Sequence, residues 1–429
     1  MTRLQIHVAD DGLTAVVEVR AGAAATADEL RAALADAEVV YGVDDDAVAA
    51  LAQRLADPDA RGRFEVARGA PAVDGHDGEL RGDAFCGPRA GKRGPNDRVD
   101  FRERHILHPA RTGGVVATVV EPTAGTAGRD VRDRLLRPTH GRPFVQRLGD
   151  GVRRDGGSLR ATRDGVVLAT QELVDVVTLY EHAGNVDYRS GNLHTAGSLL
   201  VKGDVDDGFC ATASGDVAVQ GTVQGGVEAE GSVHVERSVL GDALVVRAGA
   251  DVTCRVATST RLFAGRSIVV HDQAAQSELQ APRVFVTEGR GSVRGGTVRA
   301  REEIEVLHAG ADSGVVTVLA AAQLLDERQE LARRSAASAR EQRGASRLGT
   351  TKRERAAVRA GDRERDELLR LRRLQRQHMR EAVVRVLADC HPGVVVRIGP
   401  CRLELAHAQR GVEFRYDDDT GSITTTQLP

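Results

Sequence analysis

From residue 191 onward the chain repeats itself at a period too short to hold a helix. Segment ends fall at Gly197, Gly215, Gly231, Gly249, Gly265, Pro282 and Ala300, spaced by 18, 16, 18, 16, 17 and 18 residues. A unit below about 20 residues has no room for a helix and its connections, but it fits one coil of a β-solenoid. The segment SGDVAVQGTVQGGVEAEG (214–231) shows the plan. Val217 and Val219 point the same way from one short strand, because side chains alternate along a strand. Val223 follows the Gly221 turn, and Val227 and Ala229 follow Gly225-Gly226. Three inward clusters per coil imply a three-sided cross-section with Val stacked on Val. A buried Val contributes roughly 1.5–3 kcal/mol, opposed by roughly 1–2 kcal/mol per residue of backbone ordering. One coil alone therefore does not hold, whereas about seven stacked coils do.

Composition fits that reading. Aromatics make up only 3% of the chain and Trp is absent, so the core must be layered from small and branched aliphatics. Gly is abundant at 47 residues and Pro scarce at 12, as many tight turns between short strands require. Left-handed acyltransferase helices also use 18-residue coils, but they keep a strict six-residue repeat. The drift between 16 and 18 here points to a right-handed parallel β-helix.

The flanks differ in pattern. Residues 1–60 form a small α+β module: LQIHV and LTAVVEV flank Asp10-Asp11-Gly12, a hairpin signal. Thr26 with Glu29 opens a helix as a capping box, and a second helix covers about Asp44 to Asp57 with Val48, Leu51 and Leu55 on one face. Residues 61–188 carry short valine runs between Gly and Pro and read as β-rich, and the β-helix occupies 189–320. Residues 321–390 switch to Arg, Glu, Ala and Leu, with GASRLGTT (344–351) as a hairpin turn, and predict an antiparallel coiled-coil arm. Its second helix has a seam through Leu368, Leu371, Met379, Ala382 and Val386. Residues 391–429 return to strands that cap the solenoid. The expected fold is thus mainly β with an α arm inserted before the C-terminal strands.

Net charge is −3, which argues against a general nucleic-acid binder. The arm stands apart at +7, from 18 Lys/Arg and 11 Asp/Glu, leaving −10 on the body. A basic projection on an acidic body suits an acidic partner. No aromatics interleave its arginines, so single-strand stacking is disfavoured. The candidate docking residues are Arg363, Arg365, Arg370, Arg372, Arg373 and Arg376. The plain alternative is a solvated hairpin whose arginines follow genome composition.

Catalytic motifs are weak throughout. Asp74-Gly75-His76-Asp77-Gly78 lacks the bidentate Glu of a calcium loop and reads as a turn. His105 and His108 have no completing zinc ligands, and Pro109 ends any helix there. GRGSVRGG (289–296) is neither G-x-G-x-x-G nor G-K-[ST] and falls inside the repeat, as a solenoid turn. A polysaccharide-cleaving β-helix is the enzyme alternative. Asp204, Asp206, Asp207, Asp216 and Asp242 supply acids, but Phe209, Phe263 and Phe285 are the solenoid's only aromatics. The five cysteines are scattered with no C-x-x-C, which fits a reducing compartment. MTRLQIHVADDG is no signal peptide, and no apolar run approaches the roughly 18 residues of a membrane span.

The order of segments resembles the flagellar assembly protein A family of bacteria. The stretches that carry it are VYGVDDDAV (40–48), ARGAPAVDGHDG (67–78), VDFRER (99–104), GGVVATVVEPTAGTAGRDV (113–131), DGVVLA (164–169), GNVDYRSGNLHTAGSLLVKGDVDDGF (184–209) and HPGVVVRIG (391–399). One departure stands out: after Arg129-Asp130-Val131 the family continues with a Gly-containing turn, whereas this chain has Arg132-Asp133-Arg134-Leu135. The resemblance implies a right-handed β-helix with a coiled-coil arm and a cytoplasmic role in flagellar assembly or motility. It supplies no catalytic site. The expectation is a non-catalytic scaffold without cofactor or metal. Its partners are proteins, namely flagellar or polar-localisation components, or a second copy through the coiled coil. Nucleic acid and anionic membrane rank below these. A bactofilin-like polymer-forming protein is the runner-up.

Overall fold

The computed structural model describes residues 4–85, 91–93, 99–242, 244–323, 370 and 373–429. The chain opens with the hairpin β1 (Leu4–Val8) and β2 (Thr14–Val19), antiparallel and in register from Leu4↔Val19 to Val8↔Ala15. Thr26 and Glu29 form the capping box of α1 (Ala27–Asp36), and Asp44 caps α2 (Asp45–Arg54). Their apolar faces, with Leu30, Leu34, Val48 and Leu51, pack on the β-sheet side that carries Val17 and Val66. The boundary expected at residue 60 cuts through this module. β3 (Gly62–Arg68) is its third strand, antiparallel to β2, and Val131 from far downstream is buried in the same core. A sheet strand belongs with the strand it bonds to, whatever the composition shift beside it.

Between module and solenoid lie two four-stranded sheets. One orders Val152–Asp155, Ser158–Ala161, Val115–Val120 and Glu79–Arg81, and the other Arg147–Leu148, Leu173–Val177, Gly165–Ala169 and Pro109–Ala110. They share a small core around Leu80, Ala117, Leu159, Val174 and Val176.

The repeats stack as a parallel β-solenoid. One inward column runs Leu193, Ala211, Val227, Val246, Leu262, Leu279, Val298, Leu319 and Val396, each paired in parallel with the next. A second runs Val186, Val205, Val223, Val239, Ala257, Ala274, Val293, Ala309 and Cys390. No member of either column is more than 1% exposed. A third ladder pairs Leu199 with Val217, Val217 with Val233, Val233 with Val252, and Val252 with Ile268. The seven steps from Leu193 to Leu319 make about seven coils, as the repeat count predicts.

The repeating corner glycine has a steric cause. A Cβ at Gly249 would lie 2.0 Å from the Glu230 carbonyl oxygen of the coil below, and one at Gly265 would lie 2.0 Å from that of Gly249. The corner carboxylates also bond between coils. Asp204 accepts from the Thr222 N–H at 2.6 Å and Asp216 from the Ser232 N–H at 2.8 Å. These acids satisfy backbone donors that a turn would otherwise leave open.

Both solenoid ends are covered. At the first, Arg104 donates to the Tyr188 and Arg189 carbonyls, and Asn192 donates its N–H to the Arg102 carbonyl. Arg102 also lies over the Phe209 ring, which meets Tyr188 edge-on at 4.9 Å. At the other, the parallel stack gives way to antiparallel pairing: Gln409–Asp417 pairs with Val383–Cys390, and Cys401–Glu404 with Val394–Ile398.

The helical arm expected over 321–390 needs correction at its edges. Thr317–Ala321 is a strand, and Val383–Cys390 is a strand rather than helix. Val384 and Val386 alternate inward against Ile304 and Val306, and burial in the stack outweighs the helix signal of the preceding residues. Most of the expected hairpin lies outside the described residues.

Leu279→Ala should remove a fully buried side chain from mid-column and cost about 2–5 kcal/mol, read as a lower urea midpoint with unchanged slope. A loss under about 1 kcal/mol would mean the column does not carry the stack.

Candidate functional site

The feature that separates this solenoid from a plain one is an interrupted coil. Every step of the first column spans 16 to 21 residues until Leu319, whose next partner is Val396. The second column makes the same jump, from Ala309 to Cys390. The chain therefore leaves the stack after Gln323, and returns at Val383 in register with Glu303. Everything between is an insertion at one corner.

The return point is tightly built. Residues 373–381 are helical, and Met379 and Ala382 are buried against the last coil. Gly399 has a φ of +58°, and a Cβ there would sit 2.6 Å from the Met379 Sδ. Arg380 pairs with Asp418 of the terminal hairpin. Arg385 is the central charge: it contacts Glu303 at 2.5 Å, Glu413 at 2.8 Å and Glu305 at 3.3 Å. Three carboxylates, two from Ser292–Val306 and one from Gln409–Asp417, thus converge on one guanidinium, which fixes the register of the returning strand. Glu413 is held below the ordinary carboxylate range, first by its hydrogen bond from Arg415 and then by that from Arg385.

Of the candidate docking residues, Arg370, Arg373 and Arg376 are helical and exposed, while Arg363, Arg365 and Arg372 lie outside the described residues. Within 373–381, Arg373, Arg376 and Arg380 share one face at helical spacing and are exposed, and Met379 at the edge of that face is buried. Sequence reading missed Arg385, because it is one arginine among many in the basic tract and its partners are distant in sequence.

The other motifs resolve into structural contacts. Asp74 accepts from the Thr139 N–H at 2.6 Å and Asp77 from the Arg142 N–H at 2.7 Å, so this loop clasps 139–142. Asp130 is buried and accepts from the N–H groups of Arg132 and Arg134. Asp133 takes the left-handed conformation at φ +60°, the geometry a glycine would supply in the usual family turn. His105 and His108 sit in an irregular stretch ahead of Pro109–Ala110, with His105 at a φ of +48°. Burial pushes the Cys254 and Cys390 thiols up to about 12, opposite to what a thiolate nucleophile needs. No cluster of three or more metal-ligating side chains occurs among the described residues, and no described helix is long and apolar enough to cross a membrane.

A model of the Flagellar Assembly Protein A N-terminal region matches residues 4–172, and one of the Flagellar Assembly Protein A beta solenoid domain matches residues 178–348. The chain belongs to the flagellar assembly protein A family. No curated protein and no solved structure matched it. The junction of the two matched regions, between 172 and 178, falls where the second four-stranded sheet hands over to the first solenoid strand, Leu179–His182.

Arg385→Met should leave three carboxylates facing one another and lower stability by roughly 1–3 kcal/mol at neutral pH. Glu413, depressed in the folded state, adds stability at pH above its unfolded value, and that stability is lost as pH falls through its folded value. The gap between wild type and variant should therefore narrow below about pH 4. Denaturant midpoints from pH 7 to 3 measure it, and a constant gap would contradict the carboxylate network.

Proposed function

We propose that this protein is a non-catalytic cytoplasmic scaffold in flagellar assembly, which holds a basic inserted segment rigidly at one end of a solenoid for docking to an acidic protein partner. The observation that carries this reading is the interrupted coil. A stack that closes in register on both sides of an insertion holds the root of that insertion in one place and one direction. Pre-organisation of this kind lowers the entropic cost of binding. The exposed Arg370, Arg373 and Arg376 begin the docking face, and Arg363, Arg365 and Arg372 of the same basic tract are the further candidates. The sequence of the inserted tract predicts an antiparallel helical hairpin, and such a hairpin would also offer a surface for a second copy. Family membership supplies the flagellar context, and the charge of the tract supplies the partner's chemistry.

The polymer-forming alternative requires open solenoid ends. Both ends carry covering segments, at Arg102–Arg104 and at Gln409–Asp417, which weighs against it.

The reading is tested by replacing residues 324–372 with a short Gly-Ser turn in the source organism. The variant should accumulate to normal levels and melt within a few degrees of wild type, yet lose flagella as a full deletion does. Normal flagellation of the variant beside an aflagellate deletion would remove the insertion as the docking element. Normal flagellation of both would overturn the flagellar role.

A further inference from the structure

The turn GRGSVRGG, which looks in sequence like a mere corner of the repeat, lines a cleft of about 500 Å³ shared by three successive levels of the solenoid. Arg290, Ser292 and Arg294 come from the first level, and His308 and Asp312 from the second, where Ser292 pairs with His308. His391 comes from the third, its N–H bonded to the Ala309 carbonyl at 2.9 Å. The close stacking depends on glycine. A Cβ at Gly291 would lie 2.4 Å from the Leu307 Cβ, and one at Gly310 would lie 3.0 Å from the His391 Cβ.

The charges in the cleft do not cancel. His391 pairs with Asp312 at 2.9 Å and His308 with Asp389 at 3.2 Å, and Asp389 also takes Arg410 at 3.0 Å. Arg290 and Arg294 are exposed, and neither guanidinium is in an ion pair among the described residues. Between them Ser292 is only 2% exposed, and its Oγ has no hydrogen-bond partner among those residues. A buried hydroxyl without a partner is uncommon and calls for a missing one. Two unpaired guanidiniums beside an uncommitted hydroxyl form a donor set for an oxyanion, since the planar fork of arginine matches phosphate. No Phe, Tyr or Trp lines the cleft, and its two histidines are engaged by Asp312 and Asp389, so a nucleobase would find no large ring to stack on there. The volume is in the range of small-molecule sites and exceeds that of a single phosphate ion.

We infer that this cleft binds a small, non-aromatic phosphorylated molecule or polyphosphate through Arg290, Arg294 and Ser292. His391, which follows the insertion in sequence, also lines the cleft, so the ligand lies across the join between the coil before the insertion and the one after it. Occupancy therefore stabilises the closed stack, independently of whatever partner docks on the insertion.

The test is calorimetric titration and thermal melting of the full-length protein with inorganic pyrophosphate, at ionic strength held constant with chloride, and with citrate as a second arm. Saturable binding and a raised melting temperature are expected. Arg290→Gln with Arg294→Gln should weaken binding by about tenfold or more, and Ser292→Ala by a smaller factor. Both arginines are exposed, so the unliganded variants should melt like wild type. Undiminished affinity in the double variant, or no saturable binding, would overturn the site. Tighter binding of citrate than of pyrophosphate would overturn the phosphate assignment.

Discussion

The whole structure depends on the register of parallel strands stacked on one another. Side chains alternate along a strand, so a slip of one residue would turn every inward valine outward. The columns through Val223 and Leu279 hold that register across coils of uneven length, because length changes are absorbed at the corners. Glycines allow the corner backbones to touch, and Asp204 and Asp216 tie each corner to the next. The corners vary while the columns do not, and that division lets one corner accept an insertion without breaking the stack.

The same constraint makes the return at Val383 demanding. A strand that comes back after a long excursion must find one register among several. Apolar alternation at Val384 and Val386 sets the face, and the contacts of Arg385 with Glu303, Glu305 and Glu413 set the position along it. Asp251 does a related task earlier in the stack. It takes Arg266 and Ser267 of the next coil, and these hydrogen bonds, that of Arg266 foremost, lower its pKa to about 2. Charged contacts between coils thus select register, while the aliphatic columns provide most of the burial.

Much of this architecture was legible in the sequence. Val217, Val219, Val223, Val227 and Ala229 are all buried, and they were assignable because the solenoid repeats its pattern at short range. The capping box at Thr26 was legible for the same reason. What could not be read depends on long-range pairing. EAVVRVLADC continues the composition of a helix, and its partners on either side, Glu303–Val306 and Gln409–Asp417, make it a strand. β3 belongs to the first module because it bonds to β2, a fact its own residues do not encode. The stretch at Gly128-Arg129-Asp130 carries the family resemblance, and its Asp130 holds a turn that the sequence does not announce. Arg385 was hidden by its neighbours, and the cleft at Arg290 required three levels to be superposed.

The central claim is that one continuous solenoid runs through the interruption. Hydrogen exchange resolved to individual amides tests it most directly. The account predicts that Val384, Val386 and the amides of Val394–Ile398 exchange as slowly as those of Val293–Val306. Exchange of the former group at the rate of exposed loops, with the latter still protected, would mean that the stack ends before the insertion and that the return is not part of it.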